Sequence, residues 1–492
     1  MFASITSVAL VGVEARPISV EAQVGGGQKQ AFHLVGLPDT AVREAKERVK
    51  AALAVSGFHM PAGRVIVNLA PADIPKVGSA YDLPIALAIL AATGGVAKAA
   101  TKTVALGELA LDGKVRRARG GLGAAMVGRS QIMPVMLGRE SATEAGLVAD
   151  AEVWVVDSLS HAVKVIQGEV APSPCPPMPQ ASVMGPDLAE VRGQAQARRA
   201  LEIAAAGGHH LLLTGTPGSG KTMLAQCLPT ILPPLATDAS LEVAQVWAAA
   251  DRPRLVHAAP PFRAPHHSAT VAALVGGGSG VPVPGEVSLA HRGVLFLDEL
   301  GEFPPALLDA LRQPLEQGSV TIARKGSTVR FPTDIQLVAA TNPCPCGFEL
   351  DEHVACVCTP AAVARYTRRL SGPMLDRFDL RLRVGRPSPA SLLGPPEEPS
   401  AVVRERVSRA RAHQAARASL NRNLSRRTLD HLPVDGAAAD LVAAALNDGS
   451  LTGRGYDRVR RIARTLADLA DAEMVGCDHM REALVLRGED GG

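Results

Sequence analysis

The stretch LLLTGTPGSGKTMLAQ, Leu211 to Gln226, holds the residues most suited to chemistry. Within it Gly215, Thr216, Pro217, Gly218, Ser219, Gly220, Lys221 and Thr222 satisfy the pattern G-x-x-x-x-G-K-[ST] at every fixed position. An apolar run precedes the motif and a helical pattern follows it, the context such a loop requires. Glycines let backbone amides turn onto phosphate oxygens, and the N-terminus of the next helix favours negative charge. Lys221 is expected on the β- and γ-phosphates of ATP, and the Thr222 hydroxyl on Mg²⁺. Further on, GVLFLDEL, Gly293 to Leu300, reads as a buried strand whose C-terminal end carries two carboxylates. That is the edge at which open α/β sheets bind ligands. Asp298 is expected to hold the Mg²⁺ water shell and Glu299 to polarise an attacking water. An acidic loop cap is the plainer reading of the pair, but the two motifs together favour ATP hydrolysis.

A second cluster lies in NPCPCGFELDEHVACVCTP, where Cys344, Cys346, Cys356 and Cys358 follow C-x-C-x9-C-x-C. Four thiolates can close a tetrahedral Zn²⁺ site. Reduced thiols packed in a loop fit the same spacing, and His353 is near enough to compete as a ligand. Cys175, Cys227 and Cys477 are isolated. The odd total of seven speaks against a disulfide framework.

These motifs need elements to hold them. At 492 residues the chain has room for two or three domains. A net charge of +3 confines any nucleic-acid surface to a local patch, and two Trp and three Tyr are too few for a binder built on stacked bases. The N-terminus lacks the basic region of a signal peptide, and LPIALAILAA is too short to span a bilayer, so a cytoplasmic protein without membrane contact is expected. Two Pro-rich stretches, 171–184 and 386–400, read as extended linkers. They divide the chain into 1–170, 185–385 and 401–492. The first block mixes strands and helices. The second alternates them, as a parallel sheet covered on both faces requires. The third has helical spacing throughout. The fold class is therefore α/β with a helical C-terminal part.

The order of motifs resembles an AAA+ ATPase. More narrowly, FRAPHHSATVAALVGGGSGVPVPGEVSLAHRGVLFLDELGEF, NPCPCG and RRLSGPMLDRFDL resemble the magnesium-chelatase-like family called YifB or ComM. NLAPADIPKVGSAYDLPIAL and RIARTLADL extend the resemblance over nearly the whole chain. It implies an AAA+ core at 185–385 and a helical lid at 401–492. It places Val191, Gly193 and Gln194 of VRGQ beside the adenine, and Asn342 as the sensor that positions the water. Arg377 is similar to an arginine finger donated to a neighbouring subunit, which implies a ring, taken as a homo-hexamer. Arg454 resembles the lid sensor on the γ-phosphate, with Arg458 and Arg464 competing for that role. Residues 1–170 resemble the Lon-protease fold. Its nucleophile and base, however, align with Ala80 and Gly123, and Ser79 lies one residue out of place, so this domain is expected to be noncatalytic.

Two alternating runs, SVTIA and TVRF, flank RKGS and predict a hairpin with Arg324 and Lys325 at its tip. In rings of this clade such a hairpin points into the central pore, where a basic tip would grip DNA. GGGSGVPVPGE, Gly276 to Glu286, is a candidate second pore loop. The opening of the third block, VVRERVSRARAHQAARASLNRNLSRR, has eight arginines and is either a solvated face or a further DNA contact. The expected function is an ATP-driven helicase or branch-migration motor in recombination or the uptake of DNA during natural transformation. A chelatase-like protein-remodelling subunit is the alternative. A Lon-like protease comes third.

Overall fold

The computed structural model describes residues 1–26, 31–97, 101–177, 185–252, 258–278, 281–324, 327–349, 351, 353–370 and 372–487. Strands Phe2–Val11 and Glu14–Val24 form an antiparallel hairpin in which Val11 faces Glu14. A two-residue turn forces the backbone to positive φ, and Gly12 supplies it at +65°. The hairpin sits inside a mixed seven-stranded sheet, in the order Ala31–Val35, Arg64–Ala70, Glu14–Val24, Phe2–Val11, Val104–Leu106, Val135–Leu137, Val153–Val155. The run LPIALAILAA belongs to helix Asp82–Thr93, which is buried on nearly every side against this sheet. Its uniform apolarity is that of a core helix. Among the described residues no helix is long and apolar enough to cross a membrane.

The second sheet has five parallel strands in the order Phe262–Arg263, Val294–Leu297, Gln336–Thr341, Leu211–Gly215, Leu380–Val384. Its inner strands are fully buried runs, as expected of a sheet covered on both faces. Helices from the last ninety residues share one apolar core with it. Val403, Val407, Val459, Ile462 and Ala463 pack in the same cluster as Leu211, Leu213 and Val338.

Strands Ser319–Arg324 and Ser327–Pro332 pair in antiparallel fashion, with Arg324 facing Ser327. The predicted hairpin therefore forms. Arg324 is exposed at its end, and Lys325 lies outside the described residues. The inward face, Val320, Ile322, Val329 and Phe331, packs on Val11 and Val13 of the N-terminal turn and on Val275. Helix Thr237–Ala249 makes a second junction. Its Ala244 and Ala248 join a cluster with Val104, Leu122 and Val135, and Arg117 pairs with Asp251 at 3.0 Å.

Two expectations change. The stretch 386–400 is not wholly extended, because helix Pro389–Leu393 forms there, with Ser388 capping the Ser391 amide. Proline is suited to the first helical turn, where its missing N–H costs nothing. The arginine-rich helix Ser400–Ala416 is also not simply a solvated or DNA-facing surface. Arg406 pairs with Glu202 and Glu398, Arg411 donates to the Ala205 carbonyl, and just beyond the helix Arg422 bonds the Gly208 and Ile335 carbonyls and Asp334. These side chains clamp the C-terminal helices to the sheet.

His210, at the start of the Leu211–Gly215 strand, accepts a hydrogen bond from the Leu337 amide at Nδ1, and its own amide donates to Asp379 at 3.0 Å. Burial first, and the Arg422 guanidinium second, hold its imidazole down at about 3. The unfolded chain takes up that proton near pH ~6.5 and the native one does not. The stability contributed by neutral His210 is therefore complete above that pH and is lost as pH falls toward 3. Urea denaturation midpoints should fall between pH 6 and 4, and His210→Gln should flatten this dependence.

Candidate functional site

Strand Leu211–Gly215 carries the chain into the turn 216–220, and helix Lys221–Ile231 leaves it. Gly218 and Gly220 have φ of +78° and +86°, with open space where a Cβ would stand. Their glycines are required by backbone conformation rather than by crowding. The Lys221 ammonium folds onto its own loop. It donates to the Gly215 and Thr216 carbonyls at 2.7 and 2.9 Å and to Asn342 Oδ1 at 3.3 Å. Burial lowers its pKa, opposed by the charges of Asp298 and Glu299. The Thr216 and Ser219 hydroxyls are buried without a hydrogen-bond partner. Orphaned donors in a glycine loop beside a buried ammonium fit a polyphosphate.

The Thr222 hydroxyl donates to Asp298 Oδ2 at 2.8 Å. These are hard oxygen donors of the kind Mg²⁺ takes, and they are the residues that would hold it. Bound there, Mg²⁺ would neutralise charge on the phosphates. Asp298 and Glu299 follow the buried strand Val294–Leu297, and Glu299 has a left-handed φ of +52°. Such a conformation is costly for a non-glycine residue and aims the Glu299 side chain away from the course of the strand. Asn342 stands one residue beyond strand Gln336–Thr341. On the other flank, Val191 is buried and Gly193 has φ +63°. Gln194 Nε2 donates to the Gly385 carbonyl at 2.5 Å and to the Ser219 carbonyl at 3.4 Å. VRGQ thus touches both the phosphate loop and the end of the outer strand.

The structure does not bring every expected residue to this cleft. Arg377 precedes strand Leu380–Val384 and pairs with Glu316. Arg454 is 81 % exposed and lies 3.5 Å from Asp376. Both therefore belong to the N-terminal edge of the sheet, while the phosphate loop is at the C-terminal edge. Arg458 sits on that same side, near Asp379 at 3.5 Å. Arg464 is buried and bonded to Asp468 and to the Ala472 and Glu473 carbonyls. It is held within the helical region and is not available to a nucleotide.

The four cysteines do converge. Cys344, Cys346, Cys356 and Cys358 place their sulfurs within 4.8 Å of one another, with pairs at 3.4, 3.5 and 3.7 Å. Tetrahedral zinc with bonds of about 2.3 Å has sulfur–sulfur edges of roughly 3.8 Å, whereas a disulfide needs about 2.05 Å. The donor set fits zinc. His353 is not among these ligands. It lines a cavity of about 320 Å³ beside Thr214, Thr216 and Arg386.

One contact has no local signature in the stretch FRAPHHS. His267 Nδ1 lies 3.7 Å from Glu299 Oε2, and its ring is edge-on to Phe303. In the N-terminal region, Ser79 donates to Glu108. Ala80 is buried, and a Cβ on Gly123 would come within 2.7 Å of Ala15 Cβ. A lysine has no room there.

A phosphate loop, a carboxylate pair and a sensor amide, at one edge of a five-stranded parallel sheet with a helical region packed against it, define a P-loop ATPase of the AAA+ class. Family models agree: "Magnesium chelatase, subunit ChlI" matches residues 187–392, "Subunit ChlI of Mg-chelatase" 20–137, and "Magnesium chelatase, subunit ChlI C-terminal" 397–487. The chain is 40 % identical to YifB of Escherichia coli, over 98 % of its own length and 96 % of that protein's. It is 41 % identical to the competence protein ComM of Haemophilus influenzae, over 99 % and 97 %. It belongs to the YifB/ComM family of magnesium-chelatase-like AAA+ ATPases.

Glu299→Gln should still bind a fluorescent ATP analogue, while phosphate release falls by about 10²-fold or more. His267→Ala should lower turnover less and leave nucleotide affinity unchanged. Full hydrolysis by Glu299→Gln would remove that carboxylate from the chemistry.

Proposed function

We propose that this chain is an ATP-driven DNA motor, a helicase or branch-migrating translocase. It acts in the cytoplasm as a ring of six copies during recombination or the integration of incoming DNA. The observation that carries this reading is the placement of Arg377 and Arg454. The five-residue strand Leu380–Val384 spans about 13 Å at roughly 3.3 Å per residue. It separates these arginines from their own phosphate loop. They are suited to the γ-phosphate of a neighbouring copy, where a guanidinium stabilises charge that spreads in the transition state. In that arrangement Arg454 acts across the subunit boundary beside Arg377 rather than on its own nucleotide.

The hairpin supports DNA as the substrate. Exposed Arg324 lies by Gly277, where a Cβ would be 3.8 Å from its guanidinium nitrogen. The two candidate pore loops are therefore neighbours. A basic tip at a pore binds the sugar-phosphate backbone without regard to sequence. The name of the Haemophilus relative, a competence protein, fits this use. We read the N-terminal region as a noncatalytic Lon-protease-like domain, on the crowding at Gly123 and the engagement of Ser79 with Glu108. The chelatase descriptions of the family models favour a second reading, remodelling of a protein partner.

ATP-dependent strand release from a labelled three-stranded branched DNA tests the choice. Wild type should release the strand and Glu299→Gln should not. Arg324→Ala combined with Lys325→Ala should lose release while retaining ATP hydrolysis. Hydrolysis without release would favour protein remodelling. Light scattering with ATP and DNA should give the mass of six copies, and a monomeric mass would rule out the ring. Arg377→Ala should cut hydrolysis by about 10³-fold or more without preventing nucleotide binding.

A further inference from the structure

We propose that the segment between Asn342 and Thr359, closed by zinc on its four cysteines, is a brace for the phosphate loop. Nucleotide binding then depends on a metal other than the one that serves hydrolysis. The inference rests on the ATPase reading of the same site.

The segment has little else to hold it. It contains no helix or strand among its described residues, and Val354 and Val357 are exposed rather than packed into a core. A stretch that buries so little apolar surface cannot offset the entropy of its own ordering, and a four-coordinate metal can.

What the segment touches is the nucleotide site. Gly347 turns at φ +85° directly against the loop, and a Cβ there would stand 2.6 Å from Pro217 Cδ. Only glycine permits this approach. Immediately before the first cysteine pair comes Asn342, whose Oδ1 receives the Lys221 ammonium. Farther along, Asp351 is only 2 % exposed and meets Arg386 at 2.9 Å, and the same guanidinium lies over the Phe348 ring at 5.8 Å. Asp351, His353, Arg383 and Arg386 line the cavity of about 320 Å³ with Thr214 and Thr216. The segment thus leaves the sensor strand, crosses Pro217 and reaches the end of the outer strand. It spans the mouth of the phosphate loop on three supports, and the cysteine cluster fixes the distance between its ends.

The test compares metal content with nucleotide affinity in the full chain, kept reduced. Wild type should carry about one zinc per chain by elemental analysis. Stripping it with a thiol-reactive mercurial and a chelator should weaken binding of a fluorescent ATP analogue by about tenfold or more. Far-UV circular dichroism should stay unchanged, and added Zn²⁺ but not Mg²⁺ should restore affinity. Cys356→Ser with Cys358→Ser should behave as the stripped protein does. Gly347→Val should keep its zinc and still lose nucleotide affinity, which separates bracing from loss of fold. Zinc-free protein that binds nucleotide as tightly as the loaded form would overturn the brace and leave the ATPase reading intact. So would wild type that retains no stoichiometric zinc. Zinc-loaded wild type that binds no nucleotide at all would overturn the ATPase reading itself, and the brace with it.

Discussion

Strand Leu211–Gly215 pairs with Gln336–Thr341 on one side and Leu380–Val384 on the other, so that Leu211 faces both Val338 and Leu380. This register determines which side chains emerge together at the C-terminal edge. A slip of one residue would turn every side chain of the strand to the opposite face. With the register as it stands, the Gly215 carbonyl and Asn342 Oδ1 both reach the Lys221 ammonium. Asp298, on the strand beyond, meets the Thr222 hydroxyl. Gln194 closes the other flank by bonding Gly385 at the end of the outer strand. The buried ammonium is the point at which the phosphate loop and the end of the Gln336–Thr341 strand meet.

The same sheet makes its two edges unlike. Oxygen donors, amides and a lysine gather at one. Arg377, Arg454 and Arg458 gather at the other, beside Asp376 and Asp379. The helical region is locked to this framework by Arg406, Arg411 and Arg422, which bond backbone carbonyls and carboxylates of the core. The N-terminal sheet is coupled through the packing of its Gly12 turn on the Ser319–Pro332 hairpin. The hairpin and the N-terminal turn therefore share one apolar cluster.

Metal chemistry divides by donor type within a short distance. A hydroxyl and a carboxylate, Thr222 and Asp298, suit a hard cation, while four thiolates suit a soft one. The two donor sets do not compete, because neither offers ligands of the kind the other metal prefers. The segment that carries the thiolates begins at Asn342, which accepts from Lys221, the neighbour of Thr222 in the chain.

How much of this was legible beforehand follows from how each feature is encoded. The phosphate loop and the carboxylate pair are contiguous motifs whose backbone needs are met locally, by glycines and by a buried run that ends in Asp298 and Glu299. The Ser319–Pro332 hairpin shows in its period-two alternation. The four cysteines show in their spacing, although not the exclusion of His353. None of the remaining features has a local signature. His267 approaches Glu299, and Gly347 approaches Pro217, because strands distant in the chain become neighbours in the sheet. Arg454 lies at the far edge because a helix from the last block packs there, and no spacing within LTGRGYDRVRR states which edge that is. Arginines in the Ser400–Ala416 helix read as a solvated stripe because a guanidinium looks the same in sequence whether it meets water or a carbonyl. Sequence alone determined the chemistry available to this protein, since that chemistry resides in residue types and short spacings. Only the tertiary structure decided which groups meet, since that depends on register and helix packing between segments hundreds of residues apart.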